Sequence, residues 1–406
     1  MPRAHRTATV PAPGQAVTDG EPRRCTKPQS GTSVLAVKVI SADCHINEPP
    51  HVFERVPEEY RERIPRMMPA PDGGDGWSFD GGPPKRSFGI EAMAGVAKED
   101  YKLSGMKFEE IMPGNYDGTA HCADMDIDGV WGSVVYPANS IFTYLEPDRG
   151  LAVACMRSYN DWVLDEFQGA APDRLRGLPM LPTEDGMEIT LAEVDRVLEK
   201  GAKGLFIPGM PSRPYNDSYY EPLWKACSEL DIPVTFHRTF GGKPPDSDWD
   251  ELVEQNVSVP GIVNRFFSAV RPLTYMIFAG IFDRHPNLKV VAAEVNYGWV
   301  PFWYQTMDDE YRTQSAWSDS PMERDPSSYL GTNVFVTGLD DHNGHMQMAG
   351  GNQTLVNMSM WSSDYPHSVT LWPDSRKIIA ELVDGMTDAD TEKVLYANAA
   401  RVYQYN

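Results

Sequence analysis

Short apolar runs rich in β-branched residues recur along this chain, each closing on a polar residue, with longer segments of helical period between most of them. In order they are SVLAVKVISADCH (33–45), GVWGSVVYP (129–137), LRGLPMLP (175–182), AKGLFIP (202–208), IPVTFH (232–237), LKVVAAEV (288–295), NVFVTG (333–338) and NMSMWSSD (357–364). Near-continuous apolar strands are covered on both faces, as in a parallel sheet. The intervening segments EITLAEVDRVLEK (188–200), EPLWKACSEL (221–230) and TDADTEKVLYANAARVYQ (387–404) repeat their apolar residues with the helical period. Thr387 is placed to cap the last of them, with Asp390 three positions on. Eight strand–helix units predict an α/β fold, a (β/α)8 TIM barrel. A doubly wound sheet is the alternative, but no GxGxxG follows the first strand.

Two connections exceed what a simple βα loop needs. About eighty residues separate strand 1 from strand 2, including PAPDGGDGWSFDGGPPKRSFG (69–89), and residues 61–118 read as a lid or cap insertion. The other runs from GGKPPDSDWDELVEQN (241–256) into an apolar helix near 262–282. Both leave from strand C-terminal ends, where barrel enzymes build their sites. Residues 1–33 lack an apolar signal core and read as a flexible extension, leaving 34–406 as the barrel.

Composition narrows the partners. The net charge of −22, from 58 acidic and 36 basic residues, argues against nucleic acid or an anionic membrane surface. No stretch approaches the ~18–20 apolar residues of a membrane span. The five cysteines (25, 44, 122, 155, 227) are odd in number and never in CxxC spacing, so a cytoplasmic, reducing compartment fits best.

The strand ends carry the candidate chemistry. Asp43 and His45 lie two apart at the end of strand 1 and share one face, with Cys44 on the other. Strand 5 ends at His237, strand 6 at Glu294 and strand 8 at Asp364. Converging on a barrel axis, these groups suit Zn, Fe or Mn, one or two ions per chain, at about 2.0–2.2 Å with a position open to water. Each has a plainer reading: Asp43 as a turn former, His45 as a hydrogen-bonded core histidine, His237 as a satisfied loop residue, Glu294 as an ion-pair partner, Asp364 as a helix cap. Their joint occurrence at separate strand ends favours the metal. His367 could orient Asp364 or touch substrate beside Arg238 and Trp299. His342 and His345 are expected at the rim. Trp77, Phe79, Trp131, Trp299 and Trp303 could build an apolar pocket.

The segments ISADCHINEPPHVFERVP, ADMDIDGVWGSVVYP, SYNDWVLDEF, YYEPLWKACSELDIPVTFH, FDRHPNLKVVAAEVNYGWVPFW, WSSDYPHS and YANAARVY carry a resemblance to the amidohydrolase-2 family, metal-dependent barrel hydrolases and decarboxylases. The resemblance runs from about residue 39 to 404. It implies metal ligands at His45, His237 and Asp364, with Asp43 in the first place of the strand-1 pair, and a homo-oligomer. The decarboxylases of the family carry a histidine where this chain has Glu294. On that departure the expected activity is hydrolysis of an amide, ester or thioester acyl bond. Asp364 would then move the proton of a metal-activated water, with Glu294 as ligand or auxiliary base. The alternative is non-oxidative decarboxylation of an aromatic or unsaturated acid. A barrel that has lost its metal and serves only to bind ligands is a third reading. In either enzyme the substrate is a small, partly apolar molecule.

Overall fold

A computed structural model describes residues 37–238, 259–317 and 320–406. The predicted extension (1–33) and the 241–256 connection lie outside the described residues. All eight predicted strands form: β1 Ile40–His45, β2 Gly132–Tyr136, β3 Leu175–Gly177, β4 Leu205–Phe206, β5 Val234–His237, β6 Val290–Ala293, β7 Val334–Gly338 and β8 Ser359–Trp361. Every neighbouring pair in their ladders is parallel. Helices predicted at 188–200 and 221–230 are α1 Met187–Glu199 and α2 Glu221–Glu229. The closing helical segment begins at Asp388, and the Thr387 side chain accepts the Asp390 N–H at 3.1 Å, as its sequence position predicts.

The strands follow one another in sequence order, but the ladder is not continuous. β1–β2–β3 form one sheet and β4–β8 another. A single closed ladder, the simplest form of the expected TIM barrel, is therefore corrected to two parallel sheets that meet at two seams. At the first, only Met180 bridges to Phe206. Pro179 and Pro182 flank that bridge, lack N–H donors and cannot extend it. At the second, the chain leaves β8 early, and the Asp364 N–H reaches Asp43 O at 3.1 Å while the His45 N–H reaches Tyr365 O at 2.6 Å. Ser363 N–H adds a bond to Ser41 Oγ at 2.8 Å. The seam between β1 and β8 thus runs through the very residues flagged as candidate ligands.

The segment between β1 and the helix Gly118–Asp128 folds as short 3₁₀ turns around an antiparallel hairpin, Arg66–Pro69 with Asp75–Ser78. It is fastened beside the β8 mouth, where Ala94 N–H donates to Pro366 O (3.0 Å) and Ser368 N–H to Ile90 O (2.7 Å). A second fastening is electrostatic. The fully buried Glu48 carboxylate accepts the backbone N–H groups of Ala138, Asn139 and Ser140 at 3.1, 2.9 and 2.9 Å. This holds the loop after β2 against the end of β1. Cys44, Cys122, Cys155 and Cys227 are buried free thiols. No helix among the described residues is long and apolar enough to cross a membrane.

Replacing Glu48 by alanine deprives three backbone donors of their acceptor, one of them fully buried. The expected loss is about 3 kcal/mol, read as a lower urea midpoint; a variant as stable as the parent would show the clamp to be dispensable.

Candidate functional site

Five of the predicted residues come together at the C-terminal ends of β1, β5, β6 and β8. On β1 an extra residue is accommodated: Ser41 pairs with Ser133, but Cys44 pairs with Val135. Such a bulge re-aims side chains at a strand end. Asp43 and His45 turn into the mouth, while Cys44 turns outward against Ala94 and Tyr365. His237 is the last residue of β5. Glu294 and Asp364 lie just past β6 and β8, with φ of 55° and 52°, and Arg238 after β5 has φ 35°. Non-glycine residues rarely adopt this left-handed region, at a cost on the order of 1–3 kcal/mol each. Three such residues at the mouths of β5, β6 and β8 mark a place where side-chain direction outweighs backbone comfort.

The donor atoms are closely spaced. His45 Nε2 and His237 Nε2 are 3.1 Å apart. Asp43 Oδ1 lies 3.5 Å from the first and 3.6 Å from the second. Asp364 Oδ1 is 3.3 Å from His45 Nε2, and Glu294 Oε2 is 3.2 Å from His237 Nε2. Ligands about 2.1 Å from one ion, set at tetrahedral or octahedral angles, stand roughly 3.0–3.4 Å apart. Asp43 Oδ1 and both oxygens of Asp364 accept no hydrogen bond among the described residues, although both side chains are fully buried. Buried carboxylates with idle lone pairs beside two imidazole nitrogens fit a divalent cation, and the chain holds a possible metal site here.

The electrostatics agree. Burial, with the neighbouring His367, holds His45 down at about 4. His237 is also lowered, by burial and then Arg238. Both rings are therefore neutral near pH 7 and offer lone pairs. Burial pushes Asp43 up to about 7 against the pull of His45. At Asp364 burial acts upward too, but His367 and His45 outweigh it and draw the carboxyl well below its usual range.

The remaining predicted residues are placed as follows. His367 stacks on His45 with ring centroids 3.9 Å apart, and its Nδ1 is 3.3 Å from Asp364 Oδ1. Arg238 is buried and paired with Glu294. Trp299 donates its Nε1–H to Val295 O at 2.8 Å and packs on Trp303 at 5.4 Å. His345 is not at the rim: it is buried, with Nε2 2.9 Å from Tyr297 Oη, whereas His342 is exposed. Trp77 and Phe79 form an aromatic group with Phe53 and, through Phe79, with Phe142 (5.6 Å) just after β2.

Two residues escaped the sequence reading. Arg265 is half-buried, its Nε has no hydrogen-bond partner among the described residues, and its charge is felt at His237, Arg238 and Asp364. Nothing in VNRFF distinguishes it from a surface arginine. Thr337 on β7 lies beneath Asp43 and reads in sequence as one more β-branched strand residue.

Comparison with known proteins gives a consistent picture. The amidohydrolase family model matches residues 146–405. The gamma-resorcylate decarboxylase of Rhodococcus jostii is 28% identical over 290 residues, 64% of this chain and 79% of that protein. A decarboxylase of Emericella nidulans is 25% identical over 225 residues, 54% of this chain and 67% of its own. Among solved structures, an amidohydrolase from Mycobacterium avium subsp. paratuberculosis superposes with TM-score 0.70 at 21% identity, covering 91% of this chain and 98% of that one. A dihydroxybenzoic acid decarboxylase from Polaromonas, solved with manganese and 2-nitroresorcinol, gives TM-score 0.61 at 16% identity, covering 91% and 97%.

These relatives overturn the expectation of acyl-bond hydrolysis, thioesters included. That expectation rested on Glu294 standing where the decarboxylases have histidine. The structure gives the physical reason it carried too much weight: Glu294 Oε2 stands 3.2 Å from His237 Nε2 among the candidate ligands, so the glutamate bears on how a cation is held and says little about which bond is broken. With the fold, the strand-end cluster and the family match in agreement, the chain belongs to the amidohydrolase family.

Proposed function

We propose that this protein is a metal-dependent non-oxidative decarboxylase of a small aromatic carboxylic acid. The observation that carries the reading is the buried cluster of Asp43, His45, His237 and Glu294 with Asp364 beside His45, in which Asp43 Oδ1 and both Asp364 oxygens accept no hydrogen bond among the described residues. The decarboxylase relatives support the choice of bond, and the neighbour solved with manganese supports Mn²⁺ as the ion. Asp43, His45 and His237 would hold one divalent cation, with Asp364 Oδ1 completing the set. When bound, that cation would bind and polarise the substrate carboxylate.

The chain's own groups then divide the work. Arg265, whose Nε has no hydrogen-bond partner among the described residues, would supply a cation for an anionic substituent of the substrate. Tyr136 forms an aromatic floor 5.9 Å from His45 and 5.3 Å from His237, and Phe79 with Phe142 offers an apolar wall. The segment at 61–118 acts as a cover over the mouth, anchored near His367. Asp364, ionised at rest, would relay a proton: Oδ1 faces His45 and His367, and Oδ2, which accepts no hydrogen bond among the described residues, would receive the proton and pass it to the ring carbon that bears the carboxylate. The bond to CO₂ then breaks and its electron pair restores the aromatic ring. His367, which reaches the surface with 16% of its side chain exposed, reloads Asp364. Glu294 keeps Arg238 in place and takes no part in the proton transfer.

The direct experiment is headspace CO₂ measurement with Mn²⁺-loaded protein and a panel of hydroxybenzoates in D₂O. One CO₂ and one ring-deuterated arene should form per turnover, and chelation should abolish both; no CO₂ from any member of the panel, with metal bound, would reject the assignment.

The same assay separates the residues. Asp364→Asn is expected to lower kcat by at least ~10³-fold, whereas Glu294→Gln stays within about tenfold. Arg265→Gln should raise KM by about tenfold with little change in kcat. An inactive Glu294→Gln together with an active Asp364→Asn would exchange their roles.

A further inference from the structure

Thr337, the fourth residue of β7, is fully buried beneath the candidate metal centre. Its Oγ1 accepts the backbone N–H of Glu294 at 2.8 Å and lies 3.3 Å from Asp43 Oδ2. A hydroxyl has one proton to give. The amide N–H can only donate, so the hydroxyl proton is directed to the carboxylate. The polarity of this short chain is fixed: amide to hydroxyl to Asp43 Oδ2. With Oδ2 engaged, Oδ1 is the oxygen turned toward His45 and His237, and it carries no hydrogen bond.

The backbone of Thr337 acts on the same neighbour. Its carbonyl accepts the N–H groups of Val295 and Asn296 at 3.2 and 3.0 Å. Together with the hydroxyl contact, consecutive amides of residues 294–296 are tied to one strand residue, and Glu294 and Asn296 both have positive φ. One residue therefore links the mouth of β6 to the carboxylate at the end of β1, across a sheet boundary.

From this geometry we infer that Thr337 is a positioning residue of the metal centre. It presents Asp43 Oδ1 to the cation and pins Glu294 in the left-handed turn that keeps its carboxylate beside His237 and Arg238. The inference rests on the metal-centre reading above. Partners of ligands that fix ligand orientation change metal affinity by about 10–100-fold when removed. A threonine serving only as strand filler would be replaced by valine, its near-isostere with equal liking for strands, without effect on the ion.

The test is Mn²⁺ affinity, read from the EPR signal of free Mn²⁺ in titrations of the wild-type chain, Thr337→Val and Thr337→Ser, beside melting of the metal-free proteins. Thr337→Val should bind about 10–100-fold more weakly, and Thr337→Ser, which keeps the hydroxyl, within about threefold of wild type. Should Thr337→Val fail to fold, Thr337→Ala replaces it with the same expectation. Wild-type affinity in the hydroxyl-free variant, or equal losses in it and Thr337→Ser, would overturn the positioning role while leaving the metal centre intact. A wild-type chain that binds no Mn²⁺ would remove both.

Discussion

Two carboxylates, Asp43 and Asp364, are buried among imidazoles with too few donors to satisfy them, and the surrounding architecture follows from that arrangement. An isolated buried carboxylate is costly, and mutual repulsion makes a pair worse. Neutral His45 and His237 cannot offset the charge. A divalent cation can, and the spacing of 3.1–3.6 Å between neighbouring donor atoms is what shared coordination requires. Burial that would destabilise an ordinary core here suits a candidate cation site, because the donor groups have already lost their water.

The fold makes this possible by bringing strand ends together while leaving freedom in the ladder. A parallel arrangement aims all eight C-terminal ends the same way. The β1–β8 seam gives up regular pairing, and the freed backbone of residues 362–365 swings Asp364 into the mouth while still bonding to Asp43 O and His45 N. Positive φ at Arg238, Glu294 and Asp364 is the local cost of that aim. It is offset by interactions that over-determine each turn: Thr337 at Glu294, Ser41 at Ser363, and the Arg238–Glu294 pair. Around this rigid floor sits the strand-1 excursion, stapled at Ala94 and Ser368 and held through Glu48.

The fold was legible because its signals are local. Unbroken apolar runs located all eight strands, and Thr387 announced the closing helix through ordinary capping chemistry. The break in the ladder is written less clearly: Pro179 and Pro182 lie in the predicted third strand, and only their missing N–H donors hint that its pairing stops there. For the site, residues at strand ends were readable, since Asp43, His45, His237, Glu294 and Asp364 all follow apolar runs. What depends on three-dimensional neighbours was not. The pairing of Glu294 with Arg238, the approach of Arg265 from a helix, the stacking of His367 on His45 and the bond from Thr337 to Asp43 join residues distant in sequence or ordinary in type. The preference for hydrolysis fails for that reason: a glutamate where the decarboxylases have histidine bears on how the site holds a cation and not on which bond breaks.

The metal centre is the claim on which the rest turns, and diffraction can locate it directly. Crystals grown with Mn²⁺ and measured at the manganese absorption edge should show one anomalous peak at the β1–β5–β8 mouth, within about 2.3 Å of His45 Nε2 and His237 Nε2 and of an oxygen of Asp43. A strong peak elsewhere with none at this mouth, or no peak at all at saturating Mn²⁺, would contradict it.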